Sequence, residues 1–558
     1  MYSGKKHILQ LVALLKAHGI SQVVLSPGSR NAPIIRSLAG DPFFSCHSVV
    51  DERSAGFYAL GIMQYKAEPA VVCCTSGTAA LNIAPAIAEA CYRQLPLIVV
   101  TADRPAAWIG QMDGQTIPQP GMFQSLVKKS VQLPEITTVE DEWYCNRLIN
   151  EALLGIDHHG KGPVHINIPL SEPLFDDTAD ALPEVRKITR HTDYKPFRER
   201  FLRHKRRMIL AGQSDYDNRT VEALDRLANM AGCVILAEHL SNIYPPPHTR
   251  STDSLPVKNV DEVLHLLPQD DRAPYAPSLL ITIGGHIVSK RIKQFLRGFQ
   301  PEEHWHVSPS GEVVDLYQHV TDIIEGDGRA FLEQLIGDGK AAGDDGRAFA
   351  RLWHAASQGI RTPEVDFSDL YAVKALLEAI PDHSFLHLAN SSSVRLAQLC
   401  RIDRPLRISC NRGCNGIDGC LSTAAGFAAV NEEPTFLLIG DLAFFYDMNG
   451  LWNSRISKNL RILLNNNGGG GIFHSLPGHG QSASAWPYIS APHHTSAKGW
   501  AETCGFTYLQ ASDKNELDGY LPAFISRHGD RPILLEVFSS IEKNTEILRN
   551  YYNNLKNR

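Results

Sequence analysis

Nothing in these 558 residues is long and apolar enough to lie in a membrane. The longest hydrophobic runs, such as Leu279-Leu280-Ile281-Thr282-Ile283, are strand-length, far short of the ~18–20 residues that span a bilayer. An excess of basic charge is also missing. Lys and Arg number 54 against 60 Asp and Glu, for a net charge of −6 and a pI near 6.4, so no positive field points to nucleic acid. The 11 cysteines are odd in number, and several lie in apolar strand patterns (Cys73, Cys74) or beside helices (Cys91, Cys400). That usage excludes a disulfide scaffold and predicts reduced thiols in a cytoplasmic protein. Cys410, Cys414 and Cys420 match no zinc spacing and lack a fourth ligand. No short repeat is visible, and the one low-complexity stretch is Gly337 to Gly346, which reads as a flexible linker. Met1 to Lys6 leads into an amphipathic helix, without the pattern of a signal peptide.

What is present is alternation. A helical spacing over His7 to Lys16 stops at Gly19, and Val23 to Leu25 reads as a buried strand. The helix from Asp51-Glu52-Arg53 runs through Leu60, Ala70 to Cys74 is a strand, and Leu97 to Val100 another. The rhythm returns with Met208 to Leu210, Val234 to Leu236 and Leu279 to Ile283. It returns again with Phe385 to Leu388, Leu406 to Ser409, Phe436 to Ile439, Ile462 to Leu464 and Ile533 to Val537. Strand–helix alternation at this length predicts an α/β protein of doubly wound parallel-sheet domains, too large for one core. The polar stretch Asp176 to Glu199 and the Gly/Asp-rich linker divide it into domains over 1–178, 196–337 and 347–558. The middle one has no GxGxxG after its first strand, and Ala211-Gly212-Gln213-Ser214 is too short a signal for a dinucleotide. It is read as mainly structural.

The most informative motif is Gly440-Asp441, followed by Asn466-Asn467 and four glycines, Gly468 to Gly471. An Asp and an Asn ending successive strands offer hard oxygen ligands suited to Mg²⁺. Glycines beside them let bare backbone approach a diphosphate. In open parallel sheets such sites form at the carboxyl ends of strands. Eight segments fall at such positions: Ser26 to Arg30, Asp51-Glu52, Thr75 to Thr78, Thr101 to Pro105, Asn390-Ser391, Asn411-Arg412, Asp441 and Asn466-Asn467. Singly, each reads as a helix cap or a solvated surface group. Together they read as a site.

The set SPGSR (26–30), DER (51–53), TSGTA (75–79), TADRP (101–105), QPGMF (119–123), NSSSVR (390–395), NRGCNGIDG (411–419), GDL (440–442) and NNGGGGIF (466–473) resembles the thiamin-diphosphate-dependent enzymes, and within them the branch that serves menaquinone biosynthesis. The resemblance implies pyrimidine-binding, central and diphosphate-binding domains, with thiamin diphosphate and Mg²⁺ (or Mn²⁺) as cofactors. It implies a transferase that decarboxylates 2-oxoglutarate and adds the four-carbon unit to isochorismate. It also implies a homodimer or dimer of dimers, the cofactor lying between domains of different subunits.

Residue by residue, Glu52 matches the acid that activates the aminopyrimidine ring, and Gln115 completes the catalytic pair. Thr75, Ser76, Gly77, Asn390, Ile417, Asp441, Leu442 and Asn467 match cofactor contacts, with Ile417 as the wedge between the two rings. Asp441, Asn467 and the Gly469 carbonyl match the metal ligands. Asn465-Asn466-Asn467 is a triple, so Asn466 remains the alternative ligand. GDL replaces the wider family's GDG, a departure that this branch shares. Both substrates are dicarboxylates, which call for guanidinium partners. Arg30, Arg104, Arg395 and Arg412 match those positions, with Ser29 and Ser391 as neutral partners and Ile472, Phe473 and Leu476 as the apolar wall. Pro118 stands where a relative has Arg. Two other readings stay open: an enzyme of the same family acting on pyruvate, and a catalytically silent diphosphate-binding protein. The four arginines weigh against the first and Glu52 against the second.

Overall fold

The computed structural model describes residues 1–176, 178–244, 255–337, 346–453, 456–475 and 484–556. By packing, the chain divides into two units. One comprises Met1–His191 with Val313–Ile323, and the other Thr192–Glu312 with Ile324–Arg558. Three six-stranded sheets organise them.

The first sheet is built from β1 (Gln22–Leu25), β2 (Ser45–Ser48), β3 (Ala70–Cys74), β4 (Leu97–Asp103), β5 (Lys129–Gln132) and β6 (Val164–Pro169). Its order is β2-β1-β3-β4-β6-β5, and every pairing is parallel. A parallel sheet is covered on both faces, and the side chains show it. Val23, Leu25, Val71, Cys73, Ile98 and Val100 pack into one cluster. The alternate residues Val24, Val72, Cys74, Leu97 and Val99 pack into another. That is why these strands read as unbroken apolar runs. The polar strand β2, Ser-Cys-His-Ser at the sheet edge, gives no such signal and escapes a reading by hydrophobic pattern.

The middle sheet holds β7 (Thr189–His191), β8 (Arg207–Ala211), β9 (Val234–Ala237), β10 (Leu279–Ile283), β11 (Glu303–Ser308) and β12 (Asp322–Glu325). They run in the order β7-β12-β11-β10-β8-β9. The third sheet comprises β13 (Phe385–Leu388), β14 (Arg407–Cys410), β15 (Thr435–Gly440), β16 (Leu460–Asn466), β17 (Thr507–Ala511) and β18 (Ile533–Phe538). Its order is β14-β13-β15-β16-β18-β17, again all parallel. Renumbered from their own first strands, the first and third sheets have the same order. Both reverse direction between the first strand and the third, and that reversal opens a crevice at the strands' carboxyl ends.

Two boundary expectations meet the structure unevenly. The polar stretch 176–199 carries β7 and the start of the helix Phe197–Arg203. The linker expected over Gly337 to Gly346 lies largely outside the described residues. Just after it the chain forms an unanticipated helix, Arg347–Ser357, with Phe349, Ala350 and Trp353 buried.

The middle sheet's core includes an aromatic triad. Phe197 meets Trp305 edge-on with centroids 4.9 Å apart. Phe331 lies 5.7 Å from Phe197 and 6.2 Å from Trp305, and all three are fully buried. Phe331→Ala should therefore cost about 3–5 kcal/mol, read as a lower urea midpoint for the apo protein without a change in slope.

Candidate functional site

In the first unit, the loops after β1 and β3 flank the point where strand order reverses. Thr75 and Ser76 are buried, and their hydroxyls have no hydrogen-bond partner among the described residues. Gly77 adopts φ +80°, and a Cβ there would lie 3.1 Å from the backbone of Gln115, so this close approach needs glycine. Gln119 ties the pieces together. Its Oε1 accepts the Gly77 N–H (2.8 Å), and its Nε2 donates to the Ala102 carbonyl (3.0 Å) and to Asn167 Oδ1 (2.9 Å). Asn167 in turn donates to Asp103 (2.9 Å), whose carboxyl is raised by burial. The result is a buried polar net beneath the loop that holds Gln115, itself exposed at φ +58°.

Glu52 opens the helix Glu52–Lys66, whose first turn is capped by Asp51 accepting the Ser54 N–H (2.8 Å). Glu52 is half-buried. Its charge reaches the buried Cys74, whose thiol is pushed up by burial and then by its neighbours Cys73 and Glu52. Ser29 is exposed in the loop after β1. Arg30 is buried, donating to the Leu170 carbonyl (2.9 Å) and pairing with Glu172 (3.1 Å). Arg104 donates to the Gly114 carbonyl (2.8 Å) and pairs with Asp113 (3.0 Å).

In the second unit, the loops after β13, β15 and β16 meet around a cavity of about 100 Å³. Asn390, Ser391, Ile417, Asp441, Leu442, Asn467, Gly469, Ile472 and Phe473 all line it. Asp441 is nearly fully buried. Its Oδ2 accepts three successive backbone N–H groups, from Asn467 (3.1 Å), Gly468 (2.8 Å) and Gly469 (3.0 Å). Its Oδ1 takes the Leu442 N–H (2.7 Å), and His493 Nε2 lies 3.3 Å from Oδ2. Burial raises the carboxyl, opposed by the bonds it accepts and the His493 charge.

The asparagine triple divides by role. Asn466 turns its amide toward β18, donating to Glu536 (2.7 Å) and to the Thr495 carbonyl (2.8 Å). Asn467 donates through Nδ2 to Asp369 (2.7 Å), and its Oδ1 is buried without a partner among the described residues. An unpartnered amide oxygen beside a buried carboxylate, with backbone carbonyls on a glycine turn, is a donor set of hard oxygens that suits a hydrated divalent cation.

Ser391 holds φ +70°, ψ −125°, a strained backbone for any residue but glycine. Its carbonyl accepts from Arg395 (2.7 Å). Asn390 spends its side chain on the neighbouring loop: Nδ2 donates to the Asn411 and Gly416 carbonyls (2.7 and 2.6 Å), and Oδ1 accepts from Arg412 (3.1 Å). Ile417 borders the core and lines the cavity at once. Arg412 is buried with its Nε unpartnered. Arg395 is lowered by burial and then by the Arg412 charge. Lys293 is lowered by burial too, and it also feels Glu238, Arg412 and Arg395. The three cations thus lie near one another, with Glu238 the acid that opposes the shift at Lys293. Leu476, expected in the apolar wall, lies outside the described residues.

The residues that sequence reasoning missed come from elements without a motif. Asp369 reads as an ordinary acid in a helix's first turn. The middle segment, expected to be mainly structural, brings Lys290 and Arg291 to a cavity of about 830 Å³ lined also by Arg395, Ile472 and Arg549. Glu238 holds that approach in place, accepting the N–H groups of Val288 (2.6 Å) and Ser289 (2.7 Å) just ahead of the helix Lys290–Gly298. Nothing local in the sequence links residue 238 to residue 288.

Two family descriptions match: "Thiamine pyrophosphate enzyme, N-terminal TPP binding domain" over residues 9–130 and "Middle domain of thiamine pyrophosphate" over residues 181–382. The crevices at two switch points, the glycine turn and these matches define the class of thiamine pyrophosphate enzymes. Within it, a protein of Bacteroides thetaiotaomicron named 2-succinyl-5-enolpyruvyl-6-hydroxy-3-cyclohexene-1-carboxylate synthase is 51% identical over the full length of both chains. Proteins of the same name from Phocaeicola vulgatus (49% identical, all of both chains) and Flavobacterium johnsoniae (36%, 98% of each) also align. The chain belongs to the family of these synthases.

Burial raises the Glu238 carboxyl from 4.5 to about 7. Folding therefore favours its protonated form, and its contribution is greatest below the unfolded value near 4.5. That contribution is lost as pH climbs through about 7, a change on the order of 3 kcal/mol. Glu238→Gln should flatten this part of the stability–pH profile, measured by urea midpoints at several pH values.

Proposed function

We propose that this chain decarboxylates 2-oxoglutarate and adds the resulting four-carbon unit to isochorismate, in menaquinone biosynthesis. The products are 2-succinyl-5-enolpyruvyl-6-hydroxy-3-cyclohexene-1-carboxylate and CO₂. The full-length relationship to synthases of that name supports it. The observation that carries it is a cationic cluster beside the Asp441–Asn467 cavity: Arg412 donates to Asn390 of its lining, and Arg395 and Lys293 are close enough to feel the Arg412 charge. Dicarboxylate substrates suit such a cluster.

When bound, thiamin diphosphate supplies an electron sink for the carbanion left by CO₂. In this reading Asp441, Asn467 and the Gly469 carbonyl hold Mg²⁺, or Mn²⁺. The unpartnered Oδ1 of Asn467 favours it over Asn466. Thr75, Ser76, Gly77, Asn390, Ile417 and Leu442 hold the cofactor. Glu52 would hydrogen-bond the aminopyrimidine and hold or release a proton there, and Gln115 would orient the reacting group. Arg30, Arg104, Arg395 and Arg412 bind substrate carboxylates, with Ser29 and Ser391 as neutral partners and Ile472, Phe473 and Leu476 as the wall. Arg30 and Arg104 already carry carboxylate partners, Glu172 and Asp113, which a substrate would replace or share.

The domains are a pyrimidine-binding part over 1–178, a central part over 196–337 and a diphosphate-binding part over 347–558. The working form is a homodimer, or a dimer of dimers, with each cofactor held by the pyrimidine part of one copy and the diphosphate part of its partner. Exposed Phe57, Tyr58 and Tyr65 on the Glu52 helix are apolar surface that such an association would cover. A cytoplasmic setting agrees with 11 free cysteines. Among the described residues no helix is long and apolar enough to cross a membrane.

An assay with both substrates, thiamin diphosphate and Mg²⁺, followed by mass, should give the adduct. CO₂ from pyruvate but not from 2-oxoglutarate would refute the proposal. Glu52→Gln should keep cofactor affinity and lose about 10²-fold or more in turnover. A mixture of Glu52→Gln with Asp441→Ala, each inactive alone, should recover about a quarter of wild-type activity after subunit exchange. No recovery would place both residues in one subunit's site.

A further inference from the structure

An asparagine can serve a metal only through its oxygen, yet nothing in its shape distinguishes the two ends of the amide. Asn467 Nδ2 donates to Asp369 Oδ2 at 2.7 Å. Asp369 is almost fully buried, the first residue of the helix Asp369–Ala379. Its other oxygen accepts from Ser539 Oγ at 2.6 Å. Ser539 is steadied by Asn544 Nδ2 (2.9 Å), and Asn544 Oδ1 accepts the backbone N–H of Asp369 (3.0 Å). The carboxyl group is therefore held from behind, and both of its oxygens act as acceptors, one for Ser539 and one for Asn467. Glycine at 471 leaves this arrangement undisturbed, since a Cβ there would come within 3.2 Å of Asn467 Nδ2.

We infer that Asp369 is a positioning residue for the metal: by accepting the Asn467 NH₂ it forces the amide oxygen toward the cavity. The inference rests on the proposed role of Asn467 as a ligand. It follows that the pair is a matched acceptor and donor and can be exchanged. In Asp369→Asn the new NH₂ can donate to Asn467 Oδ1, turning the amide's nitrogen to the cavity, where it cannot bind a cation. Adding Asn467→Asp restores the match, because residue 369 then donates and one carboxylate oxygen at 467 is left for the ion. Asn467→Asp alone sets two carboxylates face to face.

The test is calorimetric titration of Mg²⁺ into the full-length protein at saturating thiamin diphosphate, with the thermal midpoint of each metal-free variant as a control. Asp369→Asn is expected to weaken Mg²⁺ about 10–100-fold with little change in the metal-free midpoint. The double variant is expected to bind more tightly than either single one. If Asn467→Ala weakens Mg²⁺ but Asp369→Asn does not, the positioning role is wrong and the metal site stands. If both single variants weaken binding and the double one is no better, Asp369 supports the fold alone and the inference falls. If Asn467→Ala leaves Mg²⁺ affinity unchanged, the assignment of the ligand itself fails. Should Asp369→Asn fold poorly, the comparison of Asn467→Asp with the double variant decides the matter.

Discussion

The second unit's cavity depends on what the Asp441 carboxylate does to the chain ahead of it. One oxygen gathers three consecutive N–H groups, from residues 467 to 469. Three donors in a row do not converge on a point within a strand or the interior of a helix. They do so only where the chain turns sharply, and Gly468 at φ +85° supplies the turn. The carboxylate closes β15 and the turn closes β16, and these are neighbouring strands in register. The parallel sheet thus brings acceptor and donors together, and the bonds fix the direction in which Asn467 and the Gly469 carbonyl face. Bonds to a charged group contribute about 1.5–3 kcal/mol each, enough to hold a buried acid whose desolvation works against it.

Around that anchor the structure keeps tensions that a ligand would relieve. Arg395, already disfavoured by burial, also feels the Arg412 charge. Arg412 Nε and Asn467 Oδ1 are buried without partners among the described residues, and within the other unit so are Thr75 Oγ1 and Ser76 Oγ. Ser391 carries backbone strain. Each costs stability, and the packed sheets make that tolerable: β1, β3, β13, β15 and β16 are fully or nearly fully buried along their length. A rigid sheet with unsatisfied polar groups at its strand ends is preorganised for charge it does not itself supply.

Much of this was legible in the sequence because the informative segments are short and their chemistry local. Buried parallel strands announce themselves as apolar runs, and turns announce themselves by glycine. The motifs after β1, β3, β13, β15 and β16 could thus be placed at strand ends. Strand order could not, since it is decided by packing between runs that look alike. Only the structure shows that Ser26–Arg30 with Thr75–Thr78, and Asn390-Ser391 with Asp441, flank reversals in two sheets of one topology. The polar edge strand β2 and the helix after the linker lacked a period to betray them. Asp369, Glu238 and Lys290 were invisible for a different reason. Asp369 and Glu238 act on residues far away in the chain and Lys290 meets Arg395 only across a cavity, and a carboxylate in a helix's first turn looks the same whether it faces water or an asparagine 98 positions on.

The triple asparagine shows how far local reading reaches. Three identical side chains in succession carry no information about role, and a strand sends neighbours to opposite faces. β16 ends at Asn466, so its side chain follows the strand's alternation and meets Glu536 of the adjacent β18. Asn467 is the first residue free of that alternation, and the Asp441 contacts re-aim it. The division of labour is therefore set by where pairing stops, and pairing stops where Asp441 takes the N–H groups that another strand would have used. The same carboxylate that proposes itself as a ligand also ends the strand that would otherwise have turned its partner away.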